Sequence, residues 1–339
     1  MRQVILCLSL LIFACKSDTK QVSAISYRGE TMGTFYSIKF LTNKPIPQEK
    51  IDTKLKAFNA NFSTYIEDAQ ISVFNNSKDG IHTLTGIEAN EFEEVFVIAD
   101  KIYKSTNGKF DPTVKPLVDY WGFGKEKKPR KHKPEEIASL LKLVGFDQIQ
   151  LKRKGENVTL TKTNPKIELD FSAIAKGFGV DKVAELLESD GVENYMVEIG
   201  GETSCKGVNK SGNKWTLGIS EPNPDSAPSK AIIKIQPGDM AVASSGNYRS
   251  YYEVDGRIFN HTIDPISGMA FPSDLLAITV IASDCTTADA IATACMAMGK
   301  KDSEKYINVT EKVEACFFYE KEAEIMVDYS TNFEQYIVN

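Results

Sequence analysis

Hydrophobic positions early in the chain recur at helical spacing. Ile51, Leu55, Phe58 and Phe62 fall three or four residues apart and predict one amphipathic helix. The same spacing predicts a core helix over residues 87–105, because apolar side chains return there at every turn. Shorter helical patterns cover residues 134–145, a segment that ends near residue 189, residues 286–293 and residues 301–307.

Between these helices, short runs of alternating or continuously apolar residues predict strands. They cover residues 27–40 with a break at 32–34, and then 148–153, 158–161, 166–170, 195–199, 215–220, 232–236, 240–244, 248–254, 257–261, 277–282, 313–319 and 323–328. The dipeptide Asp255-Gly256 favours a tight hairpin turn. Hairpins beside helices predict an α+β fold with mixed, largely antiparallel sheets, and not a doubly wound parallel sheet.

Two segments interrupt this regular pattern. At Met32-Gly33-Thr34, the glycine is expected to let the backbone approach a neighbour closely. Residues 109–124 combine aromatic side chains with proline and glycine, which predicts a loop without regular structure. Because long apolar loops tend to line binding sites, we expect this loop to be a lid or a pocket wall.

The first residues have the pattern of an export signal. Arg2 precedes an apolar run from Val4 to Ala14 that is too short to span a bilayer. The run ends before Cys15 and resembles the lipobox of bacterial lipoproteins, in which the cysteine is lipidated. We therefore predict a lipoprotein signal peptide over residues 1–14, a lipidated Cys15 with a tether over residues 15–25, and one domain over residues 26–339. An ordinary cleaved signal, with Cys15 as a bystander, is the alternative.

Composition narrows the choice of partners. The 339 residues carry 40 basic and 46 acidic side chains, a formal charge of −6, which argues against a nucleic-acid partner. The one cationic cluster, residues 125–133, is predicted to be a solvated loop. Cys205, Cys285, Cys295 and Cys316 show no C-x-x-C spacing, and no two of the three histidines have ligand spacing, so no zinc site is predicted. A disulfide formed after export stays open.

A carboxylate and a hydroxyl stand one helical turn apart near the end of the chain. Asp289 and Thr293 are four residues apart in an Ala-rich helical run, so both side chains should lie on one face. Oxygen ligands of this kind suit Mg²⁺. The alternative is structural: Asp289 would stabilise the positive end of the helix dipole and Thr293 would bond back to a carbonyl.

Three further residues could bind a ligand or take part in catalysis, and each of them also has a purely structural interpretation. Lys176 lies in the first turns of a helix that follows Asp170, where a helix N-terminus could cradle a phosphate, or where the glycines could simply allow close packing. Tyr65 could stack on a flat ligand or lie at the rim of a helix end. His261 follows a predicted strand, a common place for a catalytic group, but it could only be a hydrogen-bonding residue.

Separated motifs along most of the chain resemble the ApbE-type FAD:protein FMN transferases, in the order in which that family has them. The motifs are Met32-Gly33-Thr34, Ser63-Thr64-Tyr65 with Ser72 and Asn75, Phe110 to Val114 with Trp121-Gly122-Phe123-Gly124, Asp170 to Asp181, Ile199-Gly200-Gly201-Glu202, Ser244 to Tyr248, His261 to Gly268, and Thr287-Ala288-Asp289 with Thr293. The resemblance implies an ApbE-like, T-fold-like architecture of two packed lobes with the site between them.

The resemblance also implies the residues of that site. By position, Mg²⁺ would be held by the side chains of Asp289 and Thr293 and by the backbone carbonyl of Ala173. The flavin nucleotide of the substrate FAD is expected against Met32, Tyr65, Lys109, Phe110, Asp111, Asp170, Lys176, His261, Thr262 and Ile263. Because the attacking hydroxyl must lose a proton, His261 is the predicted general base.

The implied activity cleaves FAD, releases AMP and attaches FMN through a phosphoester to a Thr or Ser of an acceptor protein. The implied acceptor is a membrane redox subunit or an exported flavoprotein with a flavinylation motif, and the implied location is the bacterial cell envelope, on the periplasmic side. An FAD diphosphatase is the nearest alternative. A flavin-carrying lipoprotein without turnover and a purely structural surface protein are further alternatives.

Overall fold

The computed structural model describes residues 22–124, 132–222, 231–247, 251–254, 257–270, 273–322 and 324–338. The predicted signal peptide, Cys15, most of the cationic cluster and the Asp255-Gly256 turn lie outside these residues. Among the residues that are described, no helix has both the length and the apolar character needed to cross a membrane.

Runs of helices and runs of strands follow one another along the described chain. The helices are α1 (Gln48–Phe62), α2 (Gln70–Asn75), α3 (Gly86–Ser105), α4 (Lys115–Tyr120), α5 (Pro134–Leu140), α6 (Ala175–Ser189), α7 (Cys285–Met298) and α8 (Lys300–Val309). The strands are β1 (Ser23–Thr31), β2 (Thr34–Thr42), β3 (Ile81–Leu84), β4 (Ile149–Lys154), β5 (Asn157–Lys162), β6 (Asn194–Ile199), β7 (Glu202–Lys206), β8 (Leu217–Ser220), β9 (Ala231–Ile235), β10 (Ala241–Gly246), β11 (Tyr251–Val254), β12 (Arg257–Asn260), β13 (Leu275–Ala282), β14 (Glu314–Lys321), β15 (Glu324–Tyr329) and β16 (Ile337–Val338).

The largest sheet organises the fold. Within the described residues it has eight strands in the order β1-β2-β6-β7-β10-β13-β14-β15. In the smaller sheets β5 lies between β3 and β4, β9 lies between β8 and β16, and β11 pairs with β12. Each pairing is antiparallel. The predicted α+β class with antiparallel sheets is confirmed.

The first hairpin corrects one expectation about glycine. Thr31 pairs with Thr34, so Met32 and Gly33 form the two-residue turn between β1 and β2. Both have positive φ, 50° and 71°, as the favoured hairpin turns require. A Cβ on Gly33 would meet nothing within 4 Å. Gly33 therefore serves the turn, and the expected close approach at this position was wrong. The strand begins at Ser23, so residues 23–25 of the predicted tether pair with β2.

The predicted strand at residues 166–170 was also wrong, because its backbone groups bond to side chains and to loop carbonyls instead of a neighbouring strand. Asn75 Nδ2 donates to the Leu169 carbonyl at 2.8 Å, and the Leu169 N–H donates to Asn75 Oδ1 at 2.7 Å. Lys162 Nζ donates to the Ile167 carbonyl at 2.9 Å. The Asp170 N–H donates to the Pro112 carbonyl at 2.7 Å. The segment belongs to no sheet among the described residues.

Residues 109–124 are less irregular than predicted. Helix α4 lies inside them, with Pro116 in its first turn, where proline is tolerated because the N–H there has no intrahelical acceptor. Trp121 follows α4 and is buried, and its Nε1 donates to the Gly268 carbonyl at 2.7 Å. This bond attaches the segment to the loop after His261. Helix α2 and strands β3 and β7 were not predicted.

Helix α7 is buried at the centre of the molecule and packs on β10, β13 and α6. Its N-terminus is capped by Asp284, whose side chain accepts from the Thr287 N–H at 2.7 Å. Asp181 of α6 accepts from the Cys285 and Thr286 N–H groups at 2.9 and 2.8 Å. These bonds satisfy N–H groups that a helix N-terminus otherwise leaves free, and they join α6 to α7.

Candidate functional site

A cleft of about 470 Å³ gathers nearly all of the predicted site residues. Those that line it are Tyr65, Lys109, Phe110, Asp111, Asp170, Ala173, Lys176, His261, Thr262, Ile263, Asp289 and Thr293. Met32 lies elsewhere, in an adjoining cavity of about 600 Å³ that shares Thr64, Tyr65 and Ser172 with the cleft. The structure therefore brings residues separated by more than 200 positions to one place, with Met32 at its edge.

Helix α7 and the start of α6 place the predicted metal ligands. Asp289 is only 2% exposed, and its Oδ2 accepts from the Gly177 N–H at 3.0 Å. The close approach of the two helices depends on Gly177, because a Cβ there would lie 2.2 Å from the Cys285 carbonyl oxygen and 2.9 Å from Asp289 Cβ. Thr293, one helical turn after Asp289, lines the same cleft, and so does Ala173. The packing alternative considered for this glycine-rich helix start is therefore real at Gly177.

A buried cluster of three charged side chains lies beside Asp289. Lys176 Nζ donates to Glu202 Oε1 at 2.8 Å and lies 3.6 Å from Asp289 Oδ1. Burial alone would lower the pKa of Lys176, but Asp289 and Glu202 outweigh burial and raise it. Burial raises the pKa of Glu202 to about 7 and also raises the pKa of Asp289, and Lys176 opposes both shifts. Two carboxyl groups thus share one ammonium in a site of low polarity.

The donor set at this cluster fits a hard divalent cation. Glu202 is 3% exposed, and its Oε2 is buried without a hydrogen-bond partner among the residues described. When both carboxyl groups are ionised, one ammonium leaves them with excess negative charge that a cation would neutralise. Carboxylate, hydroxyl and carbonyl oxygens are the ligands Mg²⁺ prefers. No cluster of three His, Cys, Asp or Glu side chains with metal-binding geometry occurs in the described part of the chain. A site here would rely on mixed oxygen ligands.

The loop from His261 to Gly268 forms the opposite wall. His261 is exposed, and its ring lies edge-on to Phe123 with 6.4 Å between ring centroids. Thr262 Oγ1 donates to Asn247 Oδ1 at 2.7 Å, and Ile263 is buried. Lys109 Nζ donates to Asp264 Oδ1 at 2.9 Å. This ion pair ties the His261 loop to the segment after α3, so the two walls are held together.

The pKa values of Asp264 and Asp111 are shifted in opposite directions. Burial would raise the pKa of Asp264, but hydrogen bonds from Lys109 and Ser267 outweigh burial and lower it. Burial raises the pKa of Asp111 to about 6, although Thr113 donates its N–H and hydroxyl to that carboxylate. Asp111 is 7% exposed and belongs to the cleft wall. Phe110 is 2% exposed, so most of its ring packs in the core.

Asp170 and Tyr65 complete the predicted set. Asp170 Oδ1 accepts the N–H and the hydroxyl of Ser172, which shapes the turn leading to Ala173 and α6. Tyr65 follows the C-terminus of α1 and is 71% exposed, although it lines both cavities. A largely exposed ring at the cavity mouth is compatible with stacking on a ligand and with the rim position considered above.

Residue-by-residue prediction missed Glu202 and Asp264. Glu202 begins β7 directly after Gly200-Gly201, and Asp264 stands three residues after His261. Both lie within the motifs that carried the family resemblance. A carboxylate at the start of an otherwise buried strand was the available signal for Glu202, but β7 itself was not predicted.

An α+β fold with a deep cleft that ends at a buried lysine–carboxylate cluster is the architecture of a small-molecule enzyme. The chain belongs to the ApbE family, whose model matches residues 32–317.

Relatives and solved structures agree with this assignment. An FAD:protein FMN transferase of Haemophilus influenzae is 41% identical over 313 residues, covering 90% of this chain and 88% of that protein. An FAD:protein FMN transferase of Vibrio cholerae is 39% identical over 300 residues, covering 86% of each. The structure of the flavin transferase ApbE from Vibrio cholerae superposes with a TM-score of 0.79 at 34% identity, covering 93% of this chain and 100% of that chain.

Proposed function

We propose that this protein is a Mg²⁺-dependent FAD:protein FMN transferase, which cleaves FAD, releases AMP and attaches FMN to a Thr or Ser of an acceptor protein. Flavin transfer is supported by relatives of that activity that match along nearly the whole chain. The observation that carries the proposal is the convergence of Asp289, Thr293, Ala173 and Lys176 in one cleft with His261. A carrier or structural protein would have no need for that combination.

The cleft offers distinct groups to the two parts of FAD. The ammonium of Lys176 and the helix start beside it provide positive charge for the pyrophosphate. Tyr65 and Met32 lie at the outer end, where a flat ring system can contact an aromatic ring and a thioether. Lys109, Asp111 and Asp170 also line the cleft.

Asp289, Thr293 and the carbonyl of Ala173 would hold Mg²⁺. When bound, the ion neutralises charge on the pyrophosphate oxygens and on the departing AMP. The acceptor hydroxyl oxygen forms a bond to the FMN phosphorus, and the bond from that phosphorus to the oxygen of AMP breaks. His261 takes the hydroxyl proton on an imidazole nitrogen, because it lines the cleft and a histidine side chain can accept a proton near neutral pH.

Exclusion of water decides between transfer and hydrolysis, since water attacking the same phosphorus would give FMN and AMP. The segment around α4 forms a wall of the cleft through Val114, Val118 and Phe123. The Trp121 bond to Gly268 and the Lys109 bond to Asp264 hold this wall against the His261 loop. We expect this wall to shield the phosphorus while the acceptor hydroxyl is bound.

The test is incubation of the full chain in detergent with FAD, Mg²⁺ and an acceptor domain that carries a Thr flavinylation motif. We expect the intact mass of the acceptor to rise by one FMN with equimolar AMP. Asp289→Ala and His261→Ala should lose both products, while Asp79→Ala, an exposed carboxylate outside the cleft, should behave as the unmodified protein. AMP with free FMN and no labelled acceptor would establish a diphosphatase instead. FAD binding without AMP would refute both enzyme activities.

The lipid anchor and the envelope location are part of the proposal. The motif ending at Cys15 supports lipidation, anchoring to a membrane and action on exported or membrane-bound redox proteins. Mass analysis of the mature N-terminus from bacterial membranes tests this. A diacylated or triacylated Cys15, lost in Cys15→Ala together with membrane retention, is expected. A mature N-terminus other than Cys15 would refute the anchor.

A further inference from the structure

The position of the Lys176 ammonium is set by two competing carboxylates. Its Nζ lies 2.8 Å from Glu202 Oε1, a direct hydrogen bond, and 3.6 Å from Asp289 Oδ1, which is beyond hydrogen-bond length. The Lys176 side chain reaches Glu202 past Gly200, where an added Cβ would lie 3.3 Å from Lys176 Cδ. The backbone around Gly200 therefore leaves the room that this arrangement needs.

The longer distance from the Lys176 ammonium leaves Asp289 Oδ1 accessible to a divalent cation. Asp289 Oδ2 already accepts from the Gly177 N–H, whereas Oδ1 forms only the longer ion pair with the Lys176 ammonium, at 3.6 Å. An ammonium in full contact with Oδ1 would occupy the oxygen and cancel the charge on which a divalent cation depends. The Glu202 carboxylate prevents this contact by holding the ammonium on its own side.

We propose that Glu202 is a positioning residue that holds the Lys176 ammonium away from Asp289, so that Asp289 remains free to bind a divalent cation. The inference rests on the proposed metal site at Asp289. It gives Glu202 a task that explains why a carboxylate is buried with one oxygen unpartnered among the described residues. It also makes Lys176 an inhibitor of metal binding whenever Glu202 is absent.

The test is direct titration of the metal-free full chain in detergent with Mn²⁺, followed by electron paramagnetic resonance of the free ion, without FAD. Glu202→Gln is expected to weaken Mn²⁺ binding about tenfold, because the ammonium then pairs with Asp289. Glu198→Gln is the matched control. This substitution removes the same charge from the adjacent strand β6, and Glu198 lines neither of the two cavities described above. Its affinity should equal that of the unmodified protein.

A second pair of variants separates positioning from a direct role of Glu202. In a Lys176→Met background, Glu202→Gln should weaken Mn²⁺ binding less than about threefold, because no ammonium remains to move. A full tenfold loss in that background would refute the inference and make Glu202 a direct contributor to the metal site. Unchanged affinity of Glu202→Gln alone would also refute it.

Two further measurements keep the result interpretable. Circular dichroism and the unfolding midpoint establish whether Glu202→Gln is folded. If it is not, Glu202→Asp takes its place, because the shorter side chain keeps the charge but loses the 2.8 Å contact and should also weaken binding. Asp289→Asn should abolish Mn²⁺ binding. Retained binding in Asp289→Asn would refute the proposed metal site itself, independently of Glu202.

Discussion

Replacing Gly177 by alanine tests how closely α6 and α7 must pack to form the site. The added Cβ would lie 2.2 Å from the Cys285 carbonyl oxygen and 2.7 Å from its carbon, both backbone atoms of α7. Backbone cannot rotate away as a side chain can, so the helices must separate by about 1 Å to reach ordinary contact. Overpacking of this kind lowers the free energy of unfolding by about 1–3 kcal/mol or more. The better helix propensity of alanine raises it by about 1 kcal/mol.

Gly179→Ala is the matched control on the same helix. Its Cβ would lie 2.5 Å from the terminal methyl of Met32, the flexible end of a side chain, and 3.4 Å from Ile199 Cδ1. Because the Met32 side chain can shift at little cost and alanine favours the helix, the free energy of unfolding of Gly179→Ala should lie within about 1 kcal/mol of that of the unmodified protein.

The assay is urea unfolding followed by circular dichroism, together with Mn²⁺ titration. We expect Gly177→Ala to lose about 2 kcal/mol of unfolding free energy and to bind Mn²⁺ more weakly, because Asp289 moves relative to Ala173. The reasoning would be refuted if Gly177→Ala matched Gly179→Ala in both stability and affinity.

Three further substitutions test the electrostatics and the irregular backbone. Burial raises the pKa of Asp111 from 3.8 to about 6 in the folded protein, so the native state holds more protons than the unfolded chain. The free energy of unfolding should therefore fall by about 2 kcal/mol relative to Asp111→Asn as pH rises from 4 to 7; equal pH profiles would contradict this. Hydrogen bonds from Lys109 and Ser267 lower the pKa of Asp264, so its stabilisation relative to Asp264→Asn should be present above about pH 4 and be lost as pH falls through the lowered pKa; a difference that persists in strong acid would contradict this. Asn75→Ala leaves the Leu169 N–H and carbonyl without their partners and should cost about 2–4 kcal/mol in urea unfolding, whereas the exposed Asn76→Ala should cost much less.

Hydrophobic periodicity predicted the elements whose stability comes from apolar packing. Helix α3 was predicted over residues 87–105 and is observed at Gly86–Ser105, because its apolar face packs in the largest core cluster. Strand β13 was predicted at 277–282 and is observed at Leu275–Ala282. Such elements can be predicted from the sequence, because the geometry of a helix or a strand fixes the spacing of the side chains that it buries.

Features that depend on contacts between residues far apart in the sequence could not be predicted from residue spacing. Residues 166–170 have the composition of a strand, but the Asn75 side chain satisfies Leu169, and Asn75 is 94 positions away. Glu202 gains its importance from Lys176 and Asp289, which lie on two other elements. The i,i+4 spacing placed Asp289 and Thr293 on one face, but spacing could not show that the Lys176 ammonium lies 3.6 Å from Asp289.

The most direct test of the central claim is a crystal structure of the protein soaked with Mn²⁺ and FAD, with anomalous diffraction used to locate the metal. A peak within about 2.0–2.3 Å of Asp289, Thr293 and the Ala173 carbonyl, in contact with the FAD pyrophosphate, is the predicted result. A metal bound elsewhere, or FAD bound outside the cleft that contains Lys176 and His261, would contradict the account.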